Sequence, residues 1–447
     1  MITTQQAREL ARLTVKTALS AGAAEAEVLV FANETALTRF ANDRVHQNVA
    51  NEDVQVQVRA VIGARIGVAS TNRSSEDGIR ACCERAVDAA RHSPADPAFP
   101  GLPAAHPLEQ PDRADTTTLA LDATGRANAV AAIVDACKER GLIAAGGVAT
   151  DHSVTAVANS LQVDAAMPTT MTRVTVLASG PDSASGWASF ASRAAGDLDP
   201  GALGREAAEL ALRSARPVAL EAGTYTVVLA PEAAADIAQF LGWYGGGAKA
   251  VEEGRSFMTD RIGQRLVSPL ITLADNALDP SGPGLTFDYE GQPKRRVELI
   301  SQGVVTRPVT DSYWAARTGR ANTGHALPAP NRMGPIPLDL EFQAGDSDAE
   351  KMISSVARGV YVTRFHYVNI SEPVRVELTG MTRDGTFMIE NGELTRPVRN
   401  LRFTQSAIEA LDTTLAVSST RVRTGEDGRV LAPHLLLERF AFTGQTE

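Results

Sequence analysis

Cysteine is scarce in this 447-residue chain: Cys82, Cys83 and Cys137 are the whole supply. Three thiols, two of them adjacent, cannot build a disulfide framework. A reducing compartment, the cytoplasm, is therefore the expected location. Aromatic residues are sparse too, at 5%, so the core must be filled with Ala, Val, Leu and Ile. No uninterrupted apolar run approaches the roughly 20 residues that span a bilayer. The opening residues MITTQQAREL lack the positive-then-apolar order of a signal peptide, and no membrane association is expected. Positive charge is also in deficit, with 43 Lys and Arg against 53 Asp and Glu, a formal net charge of −10. A general nucleic-acid binder needs a basic face to displace counterions, so that class is set aside. The local basic run Lys294-Arg295-Arg296 is expected to be a solvated strand end.

Apolar residues nonetheless make up 44% and charged residues 21%, the balance of an ordinary globular protein. The length leaves room for two or three domains, each with its own core. Thr3-x-x-Gln6 reads as a capping box opening a helix with Ala7, Leu10, Ala11 and Leu13 on or near one face, ending near Gly22. Strands are predicted at 27–31 and through Val54, Val56 and Val58, followed by a hairpin or bulge at Gly63 and Gly67. Ser74 is the expected cap of a second helix, whose stripe Ile79, Cys83, Ala86 and Ala90 accounts for the cysteines as small core residues. A Pro-rich loop runs from 94 to about 115. Helices are predicted over 127–140 and 202–215, with strands between about 148 and 176.

After Arg216-Pro217 the character changes. Tyr225 to Leu229 reads as a buried strand, Pro231 opens a helix ending near Trp243, and Gly245-Gly246-Gly247 reads as a C-cap and linker. Short strands follow, with Ala349 to Gly359 the only further helix expected over a long span. Asp384-Gly385 and Asn391-Gly392 carry the strongest hairpin signals. The predicted fold class is α+β, with an amino-terminal α+β domain over 1–217 and a mostly β domain over 218–447.

Chemistry-bearing motifs are thin. The sequence contains no GxSxG elbow, no Walker GxxxxGK[ST], no GxGxxG after a strand and no CxxC. The seven histidines are His46, His92, His106, His152, His325, His366 and His434, and no two lie close enough to bind metal from one helix. The nearest His–carboxylate pairs are His92 with Asp96, His106 with Glu109 and His434 with Glu438. The first two border or occupy the Pro-rich loop. The third falls on a predicted strand, where a spacing of four separates side chains by about 13 Å. A solvated or structural role is expected for each.

A series of longer phrases carries more information. EGRSFMTDRIGQRL (253–266), FDYEGQPKRR (287–296), LISQGVV (299–305), TGHALP (323–328), LTGMTRDGTFMIENGEL (378–394) and RPVRNLRFTQS (396–406) follow one another, and DPAFPGLP (96–103) precedes them. In this order they resemble the TldD/PmbA family over roughly residues 5–445. Most read as scaffold: EGRSF as a turn leading into a strand, DGTFMIENGEL as a strand between two glycine turns. The resemblance implies an α+β domain followed by a β-barrel-like domain. It also implies assembly of TldD-type with PmbA-type chains around a cavity that admits unstructured peptides. TldD-type chains hold zinc through the two histidines of HExxxH and a cysteine from late in the chain.

Against that pattern, the helix after strand 225–229 reads PEAAADIAQFLGW (231–243), with no histidine. The late stretch VSSTRVRTGEDGRVLAPHLLLERF (417–440) holds no cysteine. Glu232 and Asp236 remain on the helix, but carboxylates alone favour harder cations than zinc. His325, in TGHALP, stands where relatives more often carry asparagine, and no role is assigned to it. Within the family the chain therefore resembles the PmbA (TldE)-like, non-catalytic branch. No catalytic or metal-binding residue and no cofactor are expected in this chain, and its substrate-binding residues are not legible. Zinc is expected in a TldD-like partner carrying HExxxH, and the substrate is expected to be an unstructured peptide or small protein. Two other readings stand beside this one: an independent metallopeptidase with a non-standard metal site, and a solitary peptide-binding protein.

Overall fold

The computed structural model describes residues 2–424 and 427–445. The first half runs α1 (Thr4–Ser20), β1 (Glu25–Ala41), β2 (Arg44–Ile62), β3 (Arg65–Thr71), α2 (Glu76–His92), α3 (Thr116–Leu119), α4 (Ala123–Lys138), β4 (Ile143–Asn159), β5 (Asp164–Ser179), β6 (Ser185–Ser192) and α5 (Pro200–Ser214). The predicted capping box is present at Thr3 and Gln6. The strands form one antiparallel sheet in the order β3-β2-β1-β4-β5-β6.

Because strand side chains alternate between faces, the sheet has two distinct jobs. Val28, Val30, Ala32, Val154 and Ala156 pack under α1 and α2, and Val148, Val174 and Val176 pack under α4 and α5. The opposite parity, Leu29, Val157, Ala165 and Met167, packs against Leu285 and Phe287 of the second half. The helices approach closely because small residues face them. A Cβ on Gly67 would overlap the α2 backbone at Ala86, and one on Gly186 would overlap the α5 backbone at Ala207.

The second half runs β7 (Gly223–Leu229), α6 (Pro231–Gly245), α7 (Ala248–Glu252), β8 (Leu273–Asp275), β9 (Val297–Ser301), β10 (Val304–Val305), α8 (Ser312–Thr318), β11 (Leu340–Phe342), α9 (Ala349–Ser354), β12 (Arg358–Glu372), β13 (Glu377–Glu390), β14 (Glu393–Pro397), β15 (Leu401–Ser406), α10 (Ala407–Asp412), β16 (Thr414–Thr424) and β17 (Val430–Gln445). Pairing passes from β7 to β12, β13, β15 and β17, and β17 pairs back to β7. The ring is closed, which removes the open edges of those strands. Phe365, Phe403 and Phe440 meet in its core with ring centroids 4.5 to 5.7 Å apart. The expected α+β class with a mostly β, barrel-like second half is what forms.

Several local expectations are corrected. Ser75, not Ser74, caps α2. Strand β6 and the short helices α7, α8 and α10 were not anticipated, since elements this short show too little periodicity to read. The segment after EGRSF continues in turns rather than a strand. Asp384-Gly385 lies inside β13, opposite a register shift in β12, and is a bulge rather than a hairpin turn. Asn391-Gly392 is the predicted turn, between β13 and β14, with both residues at positive φ. Gly245-Gly246-Gly247 is no free linker: all three are buried, and Cβ atoms there would overlap Phe257, Pro337 and Pro335 respectively. Lys294 is not solvated either: its side chain is largely buried, with Nζ 3.6 Å from Asp339.

Candidate functional site

Only Ala230 separates β7 from α6, so the helix starts at the rim of the closed ring. Pro231 suits the first helical turn because its missing N–H has no partner there in any helix. Ala233, Ala234, Ile237, Ala238 and Leu241 are buried in the main core of the second half. Glu232, Asp236 and Trp243 share the remaining stripe, and Trp243 is exposed. The Ser189 hydroxyl of β6 donates to the Glu232 carboxylate. Glu206 of α5 has its pKa raised by burial and by the charges of Glu232 and Glu209. No histidine stands on this helix, whose first turns carry Pro231, Glu232 and Asp236.

The late stretch supplies no missing ligand. It forms β16 and β17, and Gly425 and Glu426 within it lie outside the described residues. His434 packs against Tyr361 with centroids 6.4 Å apart, and burial lowers its pKa. Glu438 is exposed. His92 Nδ1 meets the Asp88 carbonyl at 2.9 Å, while Asp96 accepts from the Ala98 amide. Among the described residues, none of the three His–carboxylate pairs picked out by spacing is joined by a hydrogen bond or ion pair. The cysteines are buried and free, and burial pushes Cys83 up to about 12 and Cys137 up to about 11, far from a reactive thiolate. Structural or hydrolytic zinc needs three or four nitrogen, sulfur or oxygen ligands. Among the described residues no group of three or more His, Cys, Asp or Glu could hold a metal ion. The residues around α6 do not fit zinc.

Two buried polar clusters escaped sequence reasoning because their members are far apart in the chain. In the first, His325 Nε2 lies 2.8 Å from Asp275 Oδ1 and its Nδ1 lies 3.0 Å from the Thr323 hydroxyl. Asp275 Oδ2 accepts from the Leu338 and Asp339 amides, each at 2.8 Å. Burial works against the Asp275 carboxylate, but Lys294 and His325 hold its pKa below the usual range. Burial and then Lys294 lower the pKa of His325. With every ring nitrogen engaged, His325 ties the TGHALP turn to β8.

The second cluster lies where the halves meet. Arg59 of β2 donates to Glu27 of β1 at 2.9 Å and to Glu290 at 3.1 Å. The Ser312 hydroxyl donates to Glu290 as well. Asp288 accepts from the amides of Glu290, Gln292 and Ala326 at 2.9 to 3.0 Å. Burial pushes Glu27 up to about 8 despite the pull of Arg59. Burial and the charge of Glu290 push Asp288 up to about 7, and burial pushes Asp311 up to about 6. Four carboxylic groups share one nearby cation here.

A helix-backed antiparallel sheet packed against a closed mixed barrel, with α6 at the barrel rim, defines the class: a two-part α+β protein. The chain belongs to the PmbA/TldD metallopeptidase family. Residues 26–90 match PmbA/TldA metallopeptidase domain 1, residues 106–215 the central domain and residues 222–444 the C-terminal domain. Among curated relatives it is similar to the metalloprotease PmbA of Escherichia coli O157:H7, at 26% identity over 78% of each chain. It is also 28% identical to a metalloprotease TldD homolog of Haemophilus influenzae, over 48% of this chain and 45% of that one. Against several TldD homologs the match spans less than half of their length. The fold is that of TldE from Thermococcus kodakarensis, with a TM-score of 0.87 at 17% identity, covering 99% of this chain and 100% of that one. A Thermotoga maritima protein described as a putative modulator of a DNA gyrase superposes equally well, with a TM-score of 0.87 at 17% identity over 97% of this chain and 99% of the other. Among the described residues no helix is long and apolar enough to cross a membrane.

Proposed function

We propose that this chain is the non-catalytic subunit of a zinc metallopeptidase assembly in the cytoplasm. In this reading it encloses unstructured peptide and positions it beside zinc held by a TldD-like partner through HExxxH. The observation that supports the reading is α6: the helix starts at the barrel rim, yet it carries no histidine and offers only Pro231, Glu232 and Asp236 in its first turns. Proline has no ligand atom, and one carboxylate beside a hydrogen-bonded glutamate is a poor zinc site. A subunit without a reacting group can still act by restricting access and fixing pose, because orientation alone can lower a barrier by several kcal/mol.

Co-expression with a homologue that carries HExxxH, followed by size analysis and cleavage of an unstructured peptide, tests the proposal. The two chains should co-elute, cleavage should need both, and changing the partner's motif glutamate should abolish it. Elemental analysis of this chain alone, after exposure to zinc and washing, should find no stoichiometric zinc. If the chains never associate and the HExxxH chain works equally well alone, the proposal is wrong. One tightly held zinc per copy of this chain would favour an independent metallopeptidase.

A further inference from the structure

A cleft of about 480 Å³ opens where β6 and the end of α5 meet β13 and the 398–400 segment, a size typical of sites for small ligands. Among the described residues its only lining acid is Asp384, and that carboxylate is already committed. Arg364 donates to it from Nε at 3.0 Å and from a second guanidinium nitrogen, and the Ser185 hydroxyl donates to its other oxygen. Arg364 is itself fixed over the Trp187 ring, 4.0 Å from the centroid.

The remaining charge in the cleft is positive and under-compensated. Arg383 stands directly opposite Arg364 in the β12–β13 register, a like-charge pairing that weakens a sheet. Its acidic neighbour is the same Asp384, 3.8 Å away. Arg399 lines the cleft from the other side and is exposed; its amide donates to the Val218 carbonyl, but its guanidinium has no hydrogen-bond or ion-pair partner among the described residues. The local field also reaches His366, whose pKa is lowered by partial burial and then by Arg383 and Arg364. In a chain of net charge −10, this is a local excess of guanidinium that an oxyanion would relieve. Guanidinium binds carboxylate and phosphate alike through its planar fork. Beside the two arginines, however, Pro217 and Val398 form an apolar wall, which suits the side chain of a residue attached to the anion.

We propose that this cleft binds the terminal carboxylate of an extended peptide between Arg383 and Arg399, with the last side chain against Pro217 and Val398. The assignment rests on the peptide substrate proposed above, but it concerns this chain by itself. It can therefore fail while the assembly reading stands, and the assembly reading can fail without it.

The test is calorimetric titration of the purified chain with a short unstructured peptide ending in a free carboxylate, with the same peptide amidated at that end, and with inorganic phosphate. The free-carboxylate peptide should bind, and amidation should weaken binding about tenfold or more, the effect of losing one charge-assisted hydrogen bond. Arg399→Gln and Arg383→Gln should each weaken the free peptide similarly and leave the amidated peptide unaffected, with the Arg399→Gln melting temperature unchanged. Equal affinity for free and amidated peptide overturns the proposal, as does wild-type affinity in both variants. Binding of phosphate in the absence of peptide binding also overturns it, since the cleft would then be a phosphate site.

Discussion

Arg59 carries an unequal load. Its guanidinium bonds Glu27 and Glu290, and Asp288 and Asp311 are buried close by. One cation cannot offset four ionised carboxylates in a low-dielectric junction, so some of them favour the protonated form. Glu27, Asp288 and Asp311 all have folded values raised, to about 8, 7 and 6. Groups of this kind bind a proton more tightly in the folded state. The stability they contribute is complete below their unfolded values, near 4, and is lost as pH rises through the folded ones. Asp275 works the other way, with its contribution lost only as the solution becomes strongly acidic. Stability should therefore fall between about pH 5.5 and 8.5, by on the order of a few kcal/mol if Glu27 dominates, and the melting temperature should fall with it. Glu27→Gln should flatten that slope, as read by thermal unfolding across the range. A melting temperature that rises with pH, or an unchanged slope in the variant, would count against this account.

Helix α6 shows how an element is held by what its residues omit. Its buried side is mostly alanine and glycine, with Ile237 and Leu241 between them, so the helix can lie close to the sheet and to the 335–340 segment. Gly245, at its last turn, faces the Phe257 ring so closely that a Cβ would overlap ring atoms. Two effects compete in Gly245→Ala. Helix propensity favours alanine by up to about 1 kcal/mol, whereas overpacking a buried ring costs about 1–3 kcal/mol. Phe257 is only 3% exposed and cannot swing into solvent, so the steric cost should win. The variant should melt below the wild type, and an equal or higher melting temperature would show that the ring relaxes freely.

Across the whole molecule, the halves meet through both apolar and polar contacts. Leu285 and Phe287 sit against the first sheet. Arg113 reaches across to the carbonyls of Ala277 and Leu278 at 2.9 and 3.1 Å. The connections between these packed bodies are far less protected. Residues 104–107, 109–112 and most of 216–222 are exposed and outside regular structure. Limited proteolysis should cut there first, before the long strands β12, β13 and β17, whose backbone groups are paired. Early cuts within 378–406, with both segments intact, would contradict that order. The fragments should remain associated under native conditions, since the apolar contacts of Leu285 and Phe287 and the Arg59–Glu290 pair lie outside the cut segments.

What the sequence determined by itself was periodic or conspicuously missing. The capping box at Thr3, the stripes of α2 and α4, the strand-to-helix step at Leu229–Pro231 and the α+β class follow from local chemistry that acts over a few residues. The lack of histidine on α6 and of cysteine in 417–440 is likewise complete in the sequence. The tertiary structure decided whatever depends on residues distant in the chain. Lys294 reads as a surface charge until Asp339 is brought to it. Asp384-Gly385 reads as a turn until the opposite strand makes it a bulge. His325 has no legible role until Asp275, 50 positions earlier, closes on its ring. Ring closure through β7 and β17, the Arg59 junction and the Arg383–Arg399 cleft belong to the same class. Each requires segments remote in the chain to be fixed side by side, and neither hydrophobic period nor local propensity carries that information.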